Sequence, residues 1–379
     1  MSSGAAVRQT TEITGMPNVH SHAFQRAMRT RAERLAPDRD DFWTWRTVMF
    51  EVAAGLDPDS MRTVAAQAYG EMAAAGYGAV GEFHYIHHQP DGTPYADPNE
   101  MAKAVAEAAI GAGLPIVLLP AAYHRNGWDN GDRPPAGGQR RFCDPDVDSF
   151  LQRVDTLRAW AAKQQGVSVG VAAHSTRALP RDWLAAIATY AQAHGLVRHV
   201  HAHEQRRELD ECQAEHGCSP LELLEDTGFL SPLTTVIHGV HVSDADIERI
   251  RRSGAIVASC PTTEGNLGDG YFPAMRYQSA GVRIAVGSDS QARLDPFEEA
   301  RELETLSRRE RQLRSGLLAA LGDLWEHLCV AGASALGLQR DALRRVTINL
   351  EHPDLLGVAA SDVSLALVTA CSAAVVVAS

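Results

Sequence analysis

Cysteine is sparse and scattered in this chain: six among 379 residues, with no CxxC pair and no dense spacing. Such a set builds no disulfide framework, and it reads as free thiols in a reducing cytoplasm. Positive charge is also short, with 35 Lys and Arg against 47 Asp and Glu, a net of −12. A nucleic acid or an anionic membrane is thereby disfavoured as partner, since either demands basic patches. An acidic small molecule is not, because one pocket can carry the opposite sign. The opening stretch MSSGAAVRQTTEI lacks the apolar core of a secretory leader. No repeat, low-complexity tract or long linker divides the sequence. The uncharged tail from Val363 to Ser379 is a little short for a membrane span and rich in Ala, Ser and Thr. Two terminal strands are expected there, in a cytoplasmic protein that does not enter membranes.

What is present is ordinary globular material, 45% apolar and 22% charged. A β-rich run followed by a helix-period segment recurs along it. The strand candidates are Gly15–His20, Ala79–Tyr85, Pro115–Ala122, Ser168–His174, Arg198–His203, Thr234–His238, Ala255–Ser259 and Arg283–Ser288. Asp57-Pro58 marks a helix start, with proline at the first helical position. Ser219-Pro220-Leu221-Glu222 reads as a capping box. Gly76, Gly113, Gly195, Gly254 and Gly281 read as helix ends. Alternating units of this kind make a parallel sheet, and eight of them favour a closed (β/α)8, TIM-like barrel over an open doubly wound sheet. The polar residues decide between the two. His20 and His22, Glu82, His84 and Tyr85, His174, His201 and Glu204, His238 and Asp289 all fall at strand C-terminal ends. A barrel gathers those ends at one mouth, where active sites of this fold lie. An open sheet would part the first strand from the last.

In Asn18-Val19-His20-Ser21-His22 the two histidines are two residues apart on a strand, so both imidazoles face one way. Such a pair is half of a tetrahedral zinc site, and alone it is weak, since the chain has 16 histidines. His201 adds a third nitrogen on the same rim. Asp289, in AVGSDS, adds a carboxylate that would be costly to bury unless paired or metal-bound. Three His and one Asp suit Zn²⁺ with a position left open for water, although iron or manganese would accept the same ligand types. Glu204, three residues past His201, is free to carry protons, and His238 could polarise a substrate or hold the attacking water.

The order HxH, His…Glu, His, Asp resembles the amidohydrolase superfamily, in its mononuclear deaminase branch. Within that branch NVHSHAFQRAM, DFWTWR, EFHYIHH, AAHSTRAL and HVHAHEQ are similar to the N-formimino-L-glutamate deiminase family, from about Gly15 to about Leu355. The resemblance implies one zinc per chain on His20, His22, His201 and Asp289, with Glu204, His238 and Asp289 catalytic. It places Gln25, Arg46, Tyr85, His174 and Arg177 against the substrate. The implied reaction is hydrolysis of N-formimino-L-glutamate to N-formyl-L-glutamate and ammonia. Its dicarboxylate substrate would match two guanidinium forks, Arg46 and Arg177. A deaminase of a related amidine, guanidine or aminated heterocycle is the second reading, and a non-catalytic barrel scaffold the third. His84, His87, His88, His199 and His203 are expected to be structural, and Phe42, Trp43 and Trp45 to anchor the arm bearing Arg46.

Two departures from the family pattern stand out. Family members usually place several strands before the HxH strand, and here His20 comes almost at once. The C-terminal part is altered as well, which leaves a possible homodimer in doubt. The expected organisation is an N-terminal segment 1–14, a barrel 15–340 of the metal-dependent amidohydrolase type, and C-terminal strands 341–379 of a reduced or incomplete small β-sandwich domain.

Overall fold

A computed structural model describes residues 9–34 and 42–377. The first eight residues of the opening stretch, Asp41 of the DFWTWR motif and the last two residues of the tail lie outside the described residues. Strand β1 (Thr10–Thr14) precedes the barrel. The barrel strands are β2 (Met16–Ser21), β3 (Tyr77–His84), β4 (Ile116–Ala122), β5 (Val167–Val169), β6 (Val171–Ser175), β7 (Arg198–Ala202), β8 (Thr234–His238), β9 (Ile256–Ser259) and β10 (Arg283–Val286). A last strand, β11 (Arg345–Asn349), lies beyond it.

The hydrogen-bonded order is β10-β9-β8-β7-β6-β4-β3-β2, all parallel, with β5 also on β4. Every residue of β3 and β4 is buried, as expected of parallel strands covered by helices. The single strand expected over Ser168–His174 is two, because Gly170 interrupts it. A Cβ there would lie 2.6 Å from the Val197 carbonyl oxygen and 2.8 Å from Leu119 Cδ2. The chain therefore crosses at glycine, β5 pairing with the start of β4 and β6 with its end.

Strands β10 and β2 share no ladder. Their seam is closed by Asp289, just past β10, whose N–H donates to the His20 carbonyl at 2.9 Å and whose carbonyl accepts from His22 N–H at 3.1 Å. Helix Leu324–Ala335 covers the seam from outside, and Trp325 Nε1 donates to the Thr14 carbonyl at 3.0 Å.

Outside the barrel the expectations need correction. One strand does precede the HxH strand: β1 runs antiparallel to β11 from Thr10↔Asn349 to Thr14↔Arg345. The tail expected as two strands is instead a helix, Val363–Thr369, and a single turn, Ala373–Val375. The helix buries Ala366, Leu367 and Val368, so burial overrides the β preference of the valines. The end of the tail still reaches the small sheet, Val376 by a bridge to Ile348 and Val377 N–H by donating to the Thr347 carbonyl at 2.9 Å. The Asp57 cap forms with Ser60, each side chain taking the other's N–H at 2.8 Å. At Ser219 only half the box forms, because the Glu222 carboxylate turns to Arg249 Nη2 at 2.8 Å. All five glycines read as helix ends have positive φ.

Gly78 tests the packing at the base of the barrel. A Cβ there would stand 2.4 Å from the Gly15 carbonyl oxygen, and backbone cannot yield as a side chain can. Gly70, exposed in helix Pro58–Ala75, has nothing within 4 Å of its own Cβ position. In chemical denaturation Gly78→Ala is expected to cost about 1–3 kcal/mol, whereas Gly70→Ala gains about 0.5–1 kcal/mol.

Candidate active site

Strand β2 delivers His20 and His22 to the mouth, β7 delivers His201, and the turn after β10 delivers Asp289. Their inner atoms converge. His20 Nε2 lies 3.0 Å from His201 Nε2 and 3.4 Å from Asp289 Oδ1, and His22 Nε2 lies 3.3 Å from the same oxygen. Two outer nitrogens are committed: His22 Nδ1–H donates to the Phe83 carbonyl at 2.8 Å and His201 Nδ1–H to the His174 carbonyl at 2.8 Å. Each bond fixes the tautomer and turns a bare Nε2 inward. His20 Nδ1 has no partner among the described residues, so its ring can keep a proton there and aim Nε2 at the same point. Burial first, then the neighbouring imidazoles, hold His20 and His201 well below the usual histidine range; burial also lowers His22. Neutral nitrogens and a carboxylate directed at one point repel one another unless a cation lies between them. The donor set therefore fits a small divalent ion taking nitrogen and oxygen, and His20, His22 and His201, as well as His20, His238 and Asp289, form groups able to hold one.

Beside that point His238 ends β8. Its Nδ1 donates to Glu264 Oε1 at 3.3 Å, and its Nε2 lies 3.7 Å from Glu204 Oε1 and 3.9 Å from Asp289 Oδ2. Burial opposes charge on His238, but Glu204, the bond to Glu264 and Asp289 outweigh it and push the imidazole up to about 10. Glu204 is raised by burial, against the attraction of His238 and Arg177. A carboxylate whose proton affinity is raised by burial thus faces an imidazole that its own negative charge raises, a pair suited to proton transfer. His238 and Asp289 also carry positive φ, 72° and 47°. This region is unfavourable for side chains with a Cβ, and strain of this kind gathers at functional sites.

A small cavity opens over these groups, lined by His22, His201, Glu204, His238 and Asp289. Gln25, Arg46, Tyr85, His174 and Arg177 complete the set expected from the sequence, and all five line the same cavity. His20 is the exception, fully buried beneath it. Gln25 Nε2 donates to the Tyr85 hydroxyl at 2.9 Å, leaving Gln25 Oε1 buried and unpartnered among the described residues. Arg46 Nη2 donates to the Tyr123 hydroxyl at 2.9 Å, with its guanidinium 4.9 Å from the Phe50 ring. Arg177 lies 5.6 Å from the Phe42 ring and 3.7 Å from Glu204 Oε2.

Sequence reasoning missed Glu264, which holds His238, and Tyr123, which braces Arg46. Glu264 had a faint signal, an acidic residue in the first turn of the helix after β9. Phe42 and Trp45 do more than anchor the arm, since both line the cavity together with Met49 and Leu267. The structural readings agree with the geometry. His199 Nε2 donates to the Ala335 carbonyl, His203 Nδ1 to the His241 carbonyl, and His87 Nε2 to the Ala121 carbonyl. His88 faces Asp144 at 3.4 Å, and buried His84 packs on His87. All six cysteines are free. Among the described residues no helix is long and apolar enough to cross a membrane.

A parallel eight-position barrel with histidines, an aspartate and a proton-carrying pair at its C-terminal mouth defines a hydrolase class. The chain belongs to the amidohydrolase family, whose model matches residues 13–342, and is a hydrolase acting on C–N bonds. It is 40% identical over 331 residues to the formimidoylglutamate deiminase of Pseudomonas aeruginosa, covering 86% of this chain and 72% of that protein. It is 29% identical to a 5-methylthioadenosine/S-adenosylhomocysteine deaminase of Desulforudis audaxviator, over 65% of this chain and 53% of that protein. The crystal structure of an amidohydrolase from Brucella melitensis superposes with a TM-score of 0.87 at 34% identity, covering 96% of this chain and 84% of the other.

The sign of the His238 shift gives a pH test. Its folded value of about 10 lies above the usual 6.5, so its contribution to stability is full below about 6.5 and is lost as pH rises through about 10. In metal-free protein, the destabilisation of His238→Asn relative to the parent should therefore be largest near pH 6 and shrink towards pH 10, read by urea unfolding at each pH.

Proposed function

We propose that the chain holds one zinc ion on His20, His22, His201 and Asp289 and converts N-formimino-L-glutamate to N-formyl-L-glutamate and ammonia. The observation that carries this reading is the cavity wall, where Arg46 and Arg177 line the same pocket as Glu204, His238 and Asp289, Arg177 lying 3.7 Å from Glu204 Oε2. A dicarboxylate stripped of water needs a cation for each carboxylate, and guanidinium forks supply bidentate partners. The 40% identity to a protein named formimidoylglutamate deiminase points the same way.

Zinc in that position would supply Lewis-acid polarisation and lower the pKa of a water to about 7. The chain's own groups do the rest. Arg46 and Arg177 bind the carboxylates and so direct the formimino carbon towards Asp289. His238, protonated, steadies charge that develops on that carbon's substituents. Glu204, raised and 3.7 Å from His238 Nε2, takes a proton from the attacking water and passes one to the departing nitrogen. Water oxygen replaces the imino nitrogen on carbon, and that nitrogen leaves as ammonia. A related amidine, guanidine or aminated heterocycle is the second reading, favoured by a 25% identical relative named 8-oxoguanine deaminase. It leaves two arginines in the wall without a task. A non-catalytic scaffold would leave Glu204, His238 and Asp289 without one.

Glu204→Gln keeps size and hydrogen bonding but cannot carry a proton. Turnover should fall by about 10²–10⁴-fold with metal content unchanged; near-parental rates would move the proton-carrying role to His238.

The substrate is tested by ammonia release. Arg46→Met and Arg177→Met should each lower kcat/KM by about 2–5 kcal/mol in transition-state terms, with lysine restoring only part. Formimino analogues lacking one carboxylate should be poor substrates of the parent. Equal turnover of full and truncated compounds would replace the dicarboxylate reading with a broad amidine deaminase.

A further inference from the structure

Behind the converging histidines runs a line of buried polar side chains that the chemistry above does not use. Asn18 Nδ2 donates to Ser288 Oγ at 2.6 Å, and Asn18 Oδ1 accepts from Ser288 N–H at 3.0 Å. Ser288 Oγ donates to Gln291 Oε1 at 2.8 Å. Gln291 Nε2 donates to Ser21 Oγ at 2.8 Å, and Ser21 Oγ donates to Glu82 Oε2 at 2.6 Å. Glu82 Oε1 then accepts from Ala23 N–H at 2.8 Å. Each hydroxyl gives one bond and takes one, so the donors run in a single direction from Asn18 to Glu82. All five side chains are at most 2% exposed.

The residues held are the neighbours of the candidate ligands. Ser21 and Ala23 bracket His22, and Ser288 and Gln291 bracket Asp289. Asn18 lies two residues before His20 on β2, and Phe83, next to Glu82, takes His22 Nδ1–H. The line also spans the one seam of the barrel that has no strand ladder, where Asp289 alone joins β2 by backbone. Asp289 and Gln291 have φ of 47° and 60°, a conformation that must be held by surroundings. Buried chains of this kind are rigid when every member is satisfied.

We propose that Asn18, Ser288, Gln291, Ser21 and Glu82 act as one positioning relay, which sets the distance between the His20–His22 pair and Asp289 and thereby controls how tightly the site keeps its metal. The relay works through the ligands and touches neither substrate nor ion. The inference rests on the reading that His20, His22, His201 and Asp289 hold a metal.

The experiment uses full-length Gln291→Met, Ser21→Ala, their double variant, and Ser288→Thr, which keeps a hydroxyl in the line. Each is loaded with zinc and challenged with a chelator, then reconstituted with Co²⁺ for its visible spectrum; metal-free melting is recorded alongside. The relay predicts that either single cut speeds zinc loss at least ten-fold and alters the cobalt bands. The double variant should lose zinc no faster than the worse single, because both cuts break one line. Ser288→Thr should stay near the parent. Zinc loss and cobalt bands unchanged in both single cuts would overturn the proposal, as would effects that multiply in the double variant. Zinc loss that merely follows lowered metal-free melting, with unchanged cobalt bands, would overturn it too. A parent chain that takes up no metal would overturn the reading beneath it as well, so the two failures are distinguishable.

Discussion

Bare imidazole nitrogens and a carboxylate, brought close to one another in a buried site, repel, and the fold is arranged to hold them there. His20 Nε2 and His201 Nε2 stand 3.0 Å apart, although they come from strands β2 and β7 on different sides of the barrel. The Phe83 and His174 carbonyls take the outer protons of His22 and His201 and so turn the lone pairs inward. Asp289 is brought to the same point by a backbone bend that strains it and by two hydrogen bonds to β2. A polypeptide tolerates such an arrangement when a cation repays it. The parallel barrel is what allows it, because the ends of all strands meet at one mouth.

The same crowding organises the charges around the site. The His238 imidazole is raised because Glu204, Glu264 and Asp289 surround it, and Glu204 is raised by burial. Arg46 and Arg177 line the same cavity, Arg46 over the Phe50 ring and Arg177 over the Phe42 ring, with Arg177 3.7 Å from Glu204 Oε2. In a chain of net charge −12, these two guanidinium groups put positive charge into the cavity wall, which is what an anionic substrate would be drawn to.

Much of this was legible in the sequence, for definite reasons. A closed barrel forces strand-end residues together, so the positions of His20, His22, His201, His238 and Asp289 at the ends of apolar runs were enough to bring them to one rim. Caps at Asp57 and glycines at helix ends were equally plain, since their geometry is local. What could not be read depends on distant contacts. Gly170 breaks a strand only because Val197 and Leu119 press on it. The tail from Val363 has the composition of strands and becomes a helix because of what it packs against. Thr10–Thr14 is a strand only by virtue of Arg345–Asn349. Glu264 and Tyr123 carry no motif; their importance comes from touching His238 and Arg46.

The central claim is that four side chains from the barrel mouth hold a single metal ion, and X-ray absorption at the zinc edge, together with metal counting, tests it most directly. The account predicts about one zinc per chain, with nitrogen and oxygen ligands at roughly 2.0–2.2 Å and no sulfur, and loss of the ion in His201→Ala. Two ions per chain, sulfur in the coordination shell, or a chain that stays metal-free after zinc supplementation would contradict it.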